Sequence, residues 1–181
     1  MAKAKKRVAR RASAKSKQPL DAVALLKADH RQVETWFEQF EKSRSDDKKK
    51  KLATQICQAL RIHTTIEEEI FYPAFLEATD DDDMHHEAEV EHASAKDLIA
   101  QIEASGPDDD YYDAKVKVLS EMIKHHVKEE EQKQGMFAEA KASDMDLKAL
   151  GGQMAQRKAE LEASGSPPPS SRAASTPAAH A

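Results

Sequence analysis

The chain has 181 residues and a formal net charge of −5, with 39% hydrophobic and 34% charged residues, which suits one domain of ordinary size with tails. Its five glycines and seven prolines are too few for many short strands, which excludes large β-sandwiches and barrels and favours an all-α fold. The single cysteine, Cys57, excludes an internal disulfide and a zinc site with two or more thiolates. No apolar run suits a membrane span or a secretory signal, so we expect a cytoplasmic protein without membrane contact.

The two ends of the chain differ from its middle. Residues 1–18 contain eight basic and no acidic side chains, so the remainder carries 20 bases against 33 acids, a net charge of −13. We predict that this basic arm is disordered and that it binds nucleic acid weakly at most, through charge alone. Residues 165–181 are rich in Pro, Ser and Ala and are predicted to form a disordered tail, in which His180 is discounted as a ligand.

Four amphipathic helices are predicted over residues 19–142, each with apolar positions three or four residues apart. The first opens at Pro19, the second is expected to kink near Pro73, and the third stops at Gly106. The stripes of the first two helices are Val23, Leu26, His30, Val33, Phe37, Phe40 and Leu52, Ile56, Ala59, His63, Ile66, Ile70. Those of the last two are Ala88, His92, Ala95, Ile99, Ile102 and Tyr112, Val116, Leu119, Ile123, His126, Glu130. Short connections between the helices predict an antiparallel, up-and-down four-helix bundle.

One histidine lies in the apolar stripe of every predicted helix: His30, His63, His92 and His126. Counting residues from the expected turns allows all four to share one layer of the bundle. A single such histidine is most often a hydrogen-bonded core residue. Four converging imidazoles are costly to bury without a partner for their lone pairs, which favours a metal site.

Two carboxylates follow these histidines at helical spacing. Glu67 lies four residues after His63, and Glu130 lies four residues after His126, so each pair shares one helix face. Imidazole and carboxylate without thiolate suit iron, manganese or zinc, and a carboxylate can bridge two cations. Such pairs arise often by chance in an acidic chain. They support a metal site here because the same spacing occurs beside two histidines of the apolar stripes.

At these residues the sequence resembles the hemerythrin-like family, the HHE cation-binding domains, from about Leu20 to Ala140. The matching stretches are LLKADHRQVETWFEQF, RIHTTIEEEIFYPAF, EVEHASAKDLI and IKHHVKEEE, in that order. The resemblance implies a bundle holding a non-haem, usually di-iron, centre that interacts with dioxygen, nitric oxide or peroxide. It also implies a set of metal ligands: His30, His63, Glu67, His92, His126 and Glu130, with the two glutamates as bridges.

The third helix departs from the family pattern. Oxygen-carrying hemerythrins have a second histidine one turn from the one at His92, but Ala88 and Lys96 occupy the positions four residues to either side. Glu89, three residues before His92, either fills that place or is a solvated acid. His85 lies two turns before His92, so it would need a distorted helix to reach the same metals.

Other candidate ligands lie near the first and fourth helices. His125 is adjacent to His126 and stays an alternate ligand or an outer group, and Glu131 competes with Glu130. Glu34, one turn after His30, is a candidate ligand only if the site contains unusually many carboxylates.

Outside the predicted bundle, residues 143–164 suggest a short fifth helix that is interrupted at Gly151 and Gly152. Tyr72 is expected to be a packing or rim residue. Cys57 is expected to be a small core residue, because nothing nearby in the sequence would stabilise its thiolate.

Three functions follow from these predictions. The first is a di-iron protein that binds dioxygen, nitric oxide or peroxide for sensing, storage or detoxification. The second is a catalase-like or peroxidase-like enzyme, suggested by the replacement of the fifth histidine with Glu89. The third is a metal-free helical scaffold whose basic arm binds nucleic acid.

Overall fold

The computed structural model describes residues 20–79 and 81–165, and every regular element in those ranges is helical. The elements in chain order are α1 Ala22–Lys42, α2 Asp46–Ile66, a π-helical turn Glu67–Phe71, α3 Tyr72–Thr79, α4 Asp82–Glu103, α5 Tyr112–Glu131, α6 Met136–Ala142 and α7 Leu147–Ser164. The predicted all-α fold is confirmed. The boundaries proposed for the arm and the tail stay predictions, because residues 1–18 and 166–181 lie outside the described ranges.

Polar side chains fix where the long helices begin. The Asp21 carboxylate accepts a hydrogen bond from the Ala24 amide at 2.8 Å, so α1 starts at Ala22 and not at the predicted Pro19, which lies outside the described residues. Ser45, Asp81 and Asp146 cap α2, α4 and α7 in the same way. Each cap supplies an acceptor to an amide that has no partner within its own helix.

The apolar stripes form the core of the bundle. Every predicted stripe residue on α1, α4 and α5 is buried. The core has two parts, one around Phe37, Ile56 and Leu119 and the other around Leu26 and Phe71. On α1, α2 and α4 the stripe histidine lies between stripe residues of one part and of the other, so a polar layer separates the two apolar parts on these helices.

The second predicted helix changes its winding just before Pro73, where the sequence predicts a kink. The Tyr72 amide donates to the Glu67 carbonyl, five residues back, which is the hydrogen bond of a π-helix. Pro73 has no amide hydrogen, so the regular ladder cannot continue through it. The wider turn shifts the buried position by one residue, and Phe71 is fully buried while the predicted Ile70 is only half-buried.

Between α5 and residue 165 the structure describes two helices, α6 and α7, of which the sequence predicted one. Gly135 allows the short α6 to start close to α5, because a Cβ there would lie 2.0 Å from the Glu129 carbonyl oxygen. The predicted interruption of α7 is wrong, since the helix runs through Gly151 and Gly152. A Cβ at Gly151 would lie 2.2 Å from the Leu20 carbonyl oxygen, so this glycine permits α7 to lie against the start of α1.

Within the described ranges, every helix is too short or too polar to cross a lipid bilayer. Cys57 is buried, and burial raises the pKa of its thiol to about 12, which agrees with the expected small core residue.

Candidate metal centre

The four stripe histidines meet in the centre of the bundle as two facing pairs. His30 and His63 bring their Nε2 atoms within 3.1 Å, and His92 and His126 bring theirs within 3.3 Å. All four side chains are buried, at 3 to 5% exposure. The helical periodicity therefore placed these residues in one layer, as the residue counts allowed.

Two buried carboxylates lie between the pairs. Glu67 places Oε1 3.2 Å from His63 Nε2 and Oε2 3.4 Å from His92 Nε2, so it touches one histidine of each pair. Glu130 Oε2 lies 3.4 Å from His30 Nε2 and 3.6 Å from His126 Nε2. All six predicted site residues are thus brought together, and both glutamates span the two pairs.

Their donor atoms form two groups, each with its members within 4.8 Å of one another. The groups are His30, His63, Glu67, Glu130 and Glu67, His92, His126. Two groups that share a carboxylate suit two cations that share a bridging ligand.

The oxygens of both glutamates have no hydrogen-bond donor among the described residues. Glu67 is fully buried and Glu130 nearly so, and a carboxylate in such surroundings is costly unless it is neutralised. Cations between the two histidine pairs would satisfy these oxygens and the inward lone pairs of the imidazoles together. The residues present therefore fit a two-metal centre.

Burial and the neighbouring charges also set the pKa values of the side chains in the cluster. Burial, reinforced by the charge of Glu67, raises the pKa of Glu130 to about 8. Burial disfavours the charged form of His63, but Glu67 and Asp29 outweigh it and raise its pKa to about 10. Burial lowers the pKa of His30 to about 4. Glu130 and His63, which lie beside the negative charge of Glu67, therefore hold protons at neutral pH.

Each histidine also has a carboxylate on its outer nitrogen, Nδ1. Glu131 lies 2.8 Å from His30, Glu68 lies 3.0 Å from His92, Glu91 lies 2.7 Å from His126, and Asp29 lies 3.7 Å from His63. At His30, His92 and His126 the carboxylate is within hydrogen-bond distance of Nδ1, so it holds the proton there and leaves Nε2 free to bind a metal. Asp29 is beyond that distance, and His63 Nδ1 has no hydrogen-bond partner among the described residues. These four side chains are called the outer carboxylates below.

Three of the outer carboxylates were missed by the sequence reasoning, which weighed only Glu131. A signal was available, because Asp29, Glu68 and Glu91 each directly precede or follow a predicted site residue. A neighbouring position is rotated about 100° around the helix, so it faces the adjacent helix and the histidine there.

Basic side chains balance three of the four outer carboxylates. Lys158 of α7 contacts Asp29, Lys96 contacts Glu68 at 2.5 Å, and Lys27 contacts Glu131 at 3.2 Å. Glu91 has no lysine or arginine within 4.0 Å among the described residues and faces His125 instead, at 3.6 Å.

Tyr72 lies at the centre and not at the rim, one of the two places expected for it. Its hydroxyl is 3.2 Å from His92 Nε2, the nitrogen that faces the shared carboxylates, and the side chain is fully buried. Burial, with the charge of Glu67, raises the pKa of the Tyr72 hydroxyl well above its ordinary value, so it stays protonated. Helical periodicity did not predict this position, because the π-helical turn directly before Tyr72 changes the direction in which its side chain points.

The alternate ligands do not join the six residues. Glu89 is exposed and lies 3.7 Å from His85, which packs edge-to-face on Tyr72. Glu34 pairs with Arg31 at 3.2 Å, and the side chain of His125 is 60% exposed. Glu131 contacts the outer nitrogen of His30, as described above. The predicted replacement of a fifth histidine by Glu89 is not supported by its position.

The centre is open on one side. A cavity of about 160 Å³ reaches His126 and Glu130 from the surface between α4, α5 and the start of α6. The Phe137 ring of α6 stacks on His30 at 5.8 Å, with 10° between the ring planes, and covers that histidine. A small molecule would therefore approach from the side of His126.

The fold and this cluster define a metal-binding helical bundle with a mixed histidine and carboxylate centre. The Hemerythrin HHE cation binding domain matches residues 21–138, and the chain belongs to that family.

Two relatives extend this comparison. A solved structure of a hemerythrin HHE cation-binding domain-containing protein from Mycobacterium kansasii has a TM-score of 0.61 and 20% identity, and the match covers 80% of this chain and 89% of that one. At this identity it supports the fold alone. A DNA nickase from Nostoc sp. is 28% identical over 118 residues, which are 64% of this chain and 32% of that protein. The chain thus spans about a third of the length of that relative.

Proposed function

We propose that the protein is a non-haem di-iron protein that binds dioxygen, nitric oxide or peroxide. The observation that carries the proposal is the pair of buried glutamates, Glu67 and Glu130, whose oxygens lack donors while they lie between two histidine pairs. Cations at the two pairs would neutralise both carboxylates and take up the inward imidazole lone pairs together.

The chain would hold the two ions with different helices. His30 of α1 and His63 of α2 would bind one ion, and His92 of α4 and His126 of α5 would bind the other. Glu67 and Glu130 would bridge them, since each spans both pairs. Nitrogen and carboxylate donors without thiolate suit iron, and manganese and zinc are the competing metals.

When bound, a di-iron centre supplies one- and two-electron chemistry toward small oxygen and nitrogen ligands. The chain itself shapes the access of such a ligand. The cavity beside His126 admits it, while Phe137, stacked on His30, and the apolar residues around Phe71 exclude water from the surroundings of His30. The protonated Tyr72 hydroxyl lies where it can donate a hydrogen bond to a ligand near His92.

The experiment is ligand binding by the iron-loaded protein. We expect nitric oxide and dioxygen to change the visible absorption spectrum of the wild type. A His63→Ala, His126→Ala double variant should show no such change, while His86→Ala, which alters an exposed histidine of α4, should match the wild type. A wild-type spectrum that neither gas alters would contradict the proposal.

A second candidate function, decomposition of peroxide, is favoured by Tyr72. The neutral Tyr72 hydroxyl, 3.2 Å from His92 Nε2, can donate a hydrogen bond that would orient a peroxide near His92. Tyr72→Phe should then lower the rate of oxygen release from peroxide with little change in iron content. Peroxide turnover that persists unchanged in the His63→Ala, His126→Ala variant would remove this candidate.

Nucleic-acid binding and a cytoplasmic location stay predictions. The basic arm, residues 1–18, lies outside the described residues, and the relative named DNA nickase shares only a third of its length with this chain. If the arm binds DNA through charge, retention on DNA should weaken steeply with salt and should be lost on removal of residues 1–18. Equal, salt-insensitive retention of both chains would exclude it.

A further inference from the structure

A third group of metal-ligand side chains lies on the surface beside His126. His125 Nε2 is 3.0 Å from Glu129 Oε1 and 3.6 Å from Glu91 Oε1, and the three donor atoms lie within 4.8 Å of one another. The members come from α4 and α5 and are half-buried or exposed. We call Glu91, His125 and Glu129 the outer cluster.

Negative charge at this cluster is not balanced by basic side chains. Lysine or arginine pairs with the other outer carboxylates, but among the described residues none lies within 4.0 Å of Glu91 or Glu129. Glu87, which lines the adjoining cavity, also lacks such a partner in the described part of the chain. The same face therefore attracts cations from solution.

The outer cluster is connected with the buried centre. The cavity of about 160 Å³ is lined by Glu87, Glu91 and Glu129 toward the surface and by His126 and Glu130 at depth. Glu130 is 3% exposed, and its oxygens have no donor among the described residues. A cation that follows this cavity would move from exposed carboxylates to an unpartnered buried one.

Glu91 belongs to both groups of side chains. Its Oε2 lies 2.7 Å from His126 Nδ1, and its Oε1 faces His125 at 3.6 Å. One carboxylate therefore orients a histidine of the centre and contributes to the cluster outside it.

We propose that the outer cluster is a loading site, at which a divalent cation such as Fe²⁺ binds before it passes through the cavity to the centre. One imidazole and two carboxylates suit Fe²⁺, and exposure lets the ion keep water ligands and leave again. This inference rests on the proposed function, because it needs a centre that takes up iron.

The test measures how fast the metal-depleted, full-length chain takes up Fe²⁺ without oxygen. Samples are quenched at set times with an excess of an Fe²⁺ chelator, and the iron retained by the protein is measured. A His125→Ala, Glu129→Gln variant should take up iron about tenfold more slowly than the wild type and reach the same final content. The matched control is His86→Ala, Glu89→Gln, which makes the same changes at exposed residues of α4 and should fill at the wild-type rate.

The outcomes separate the two proposals. A wild type that fills while the His125→Ala, Glu129→Gln variant fills equally fast overturns the loading site alone. A lower final iron content in that variant also overturns it, because the residues would then belong to the buried centre. A wild type that takes up no iron overturns the proposed function together with the loading site.

Discussion

The two histidine pairs are enclosed differently. The His30 and His63 pair, which we call the closed half, is covered by the ring of Phe137 and by α7, whose Lys158 reaches Asp29. Helix α7, which packs on α1 and α2, therefore adds a second layer of structure over this half, and Phe137 is the residue of α6 that reaches it. The cation of Lys27 lies 5.8 Å from the Phe137 ring and packs over it from outside.

The His92 and His126 pair, the open half, faces the cavity between α4 and α5. It also has the Tyr72 hydroxyl, 3.2 Å from His92 Nε2, and Glu91, which among the described outer carboxylates is the one without a lysine or arginine within 4.0 Å. If the centre binds two ions as proposed, the difference implies a division of tasks: the closed half would retain its ion, and the open half would exchange ions and ligands. Both halves share Glu67 and Glu130, so the division rests on the surroundings and not on the inner donors.

Removal of a shared carboxylate should have the largest effect, because it affects both halves. In Glu67→Ala each pair loses a donor, and we expect loss of both ions. Loss of a ligand should exceed the roughly 10–100-fold that removal of an outer partner costs in affinity. Metal analysis after dialysis against a weak chelator measures this. Retention of both ions would show that Glu67 does not bridge the halves.

The second largest effect is expected from a variant that uncovers the closed half. Phe137→Ala removes a ring that packs on His30 and Phe71, and we expect a loss of about 3–5 kcal/mol in the free energy of unfolding. The control, Phe40→Ala, removes a similarly buried ring in the other part of the core and should destabilise similarly. Only Phe137→Ala should speed metal release to a chelator. Equal release from both variants would contradict the role of Phe137 as a cover.

Metal affinity should rise with pH, because cations must displace protons from the shared site. The pKa of Glu130 is raised to about 8 and that of His63 to about 10, so both groups are protonated at pH 6 and each must lose its proton to bind. His92 and His126, whose pKa values are also raised, must likewise lose protons, whereas His30, whose pKa is lowered to about 4, has none to lose. Affinity should therefore rise by about 100-fold or more per pH unit from pH 6 to 7. Chelator competition at several pH values checks this, and a flat profile would contradict it.

The outer carboxylates should have smaller effects that differ between the halves. Glu131→Gln in the closed half and Glu91→Gln in the open half should each lower metal affinity by about 10–100-fold. Only Glu91→Gln should also slow iron uptake, since Glu91 alone of the two lines the cavity. If the two variants fill at the same rate, the halves do not differ in access.

The sequence was sufficient for the inner layer of the centre. Helical periodicity placed His30, His63, His92 and His126 on buried faces, and the spacing of four residues brought Glu67 and Glu130 beside them. These features are local to one helix, so they can be read without knowing which helices are neighbours. The metal-binding roles of the six residues stay predictions.

The remaining features depend on contacts between distant segments. The π-helical turn reflects the missing amide of Pro73 together with packing, and it sets the position of Tyr72 at His92. The position of Phe137 over His30 depends on the close approach of Gly135 to α5. Helix α7 continues through Gly151 because the missing side chain lets it pack against the start of α1. A glycine inside a helix pattern predicts a break unless the neighbouring backbone is known.

The iron content of the full-length protein, purified after growth with iron, tests the central claim most directly. The two overlapping ligand groups predict about two iron ions per chain. The His63→Ala, His126→Ala variant, which loses one donor from each half, should retain almost none. Well under one iron per chain in the wild type, or equal iron in the double variant, would contradict a di-iron centre at these residues.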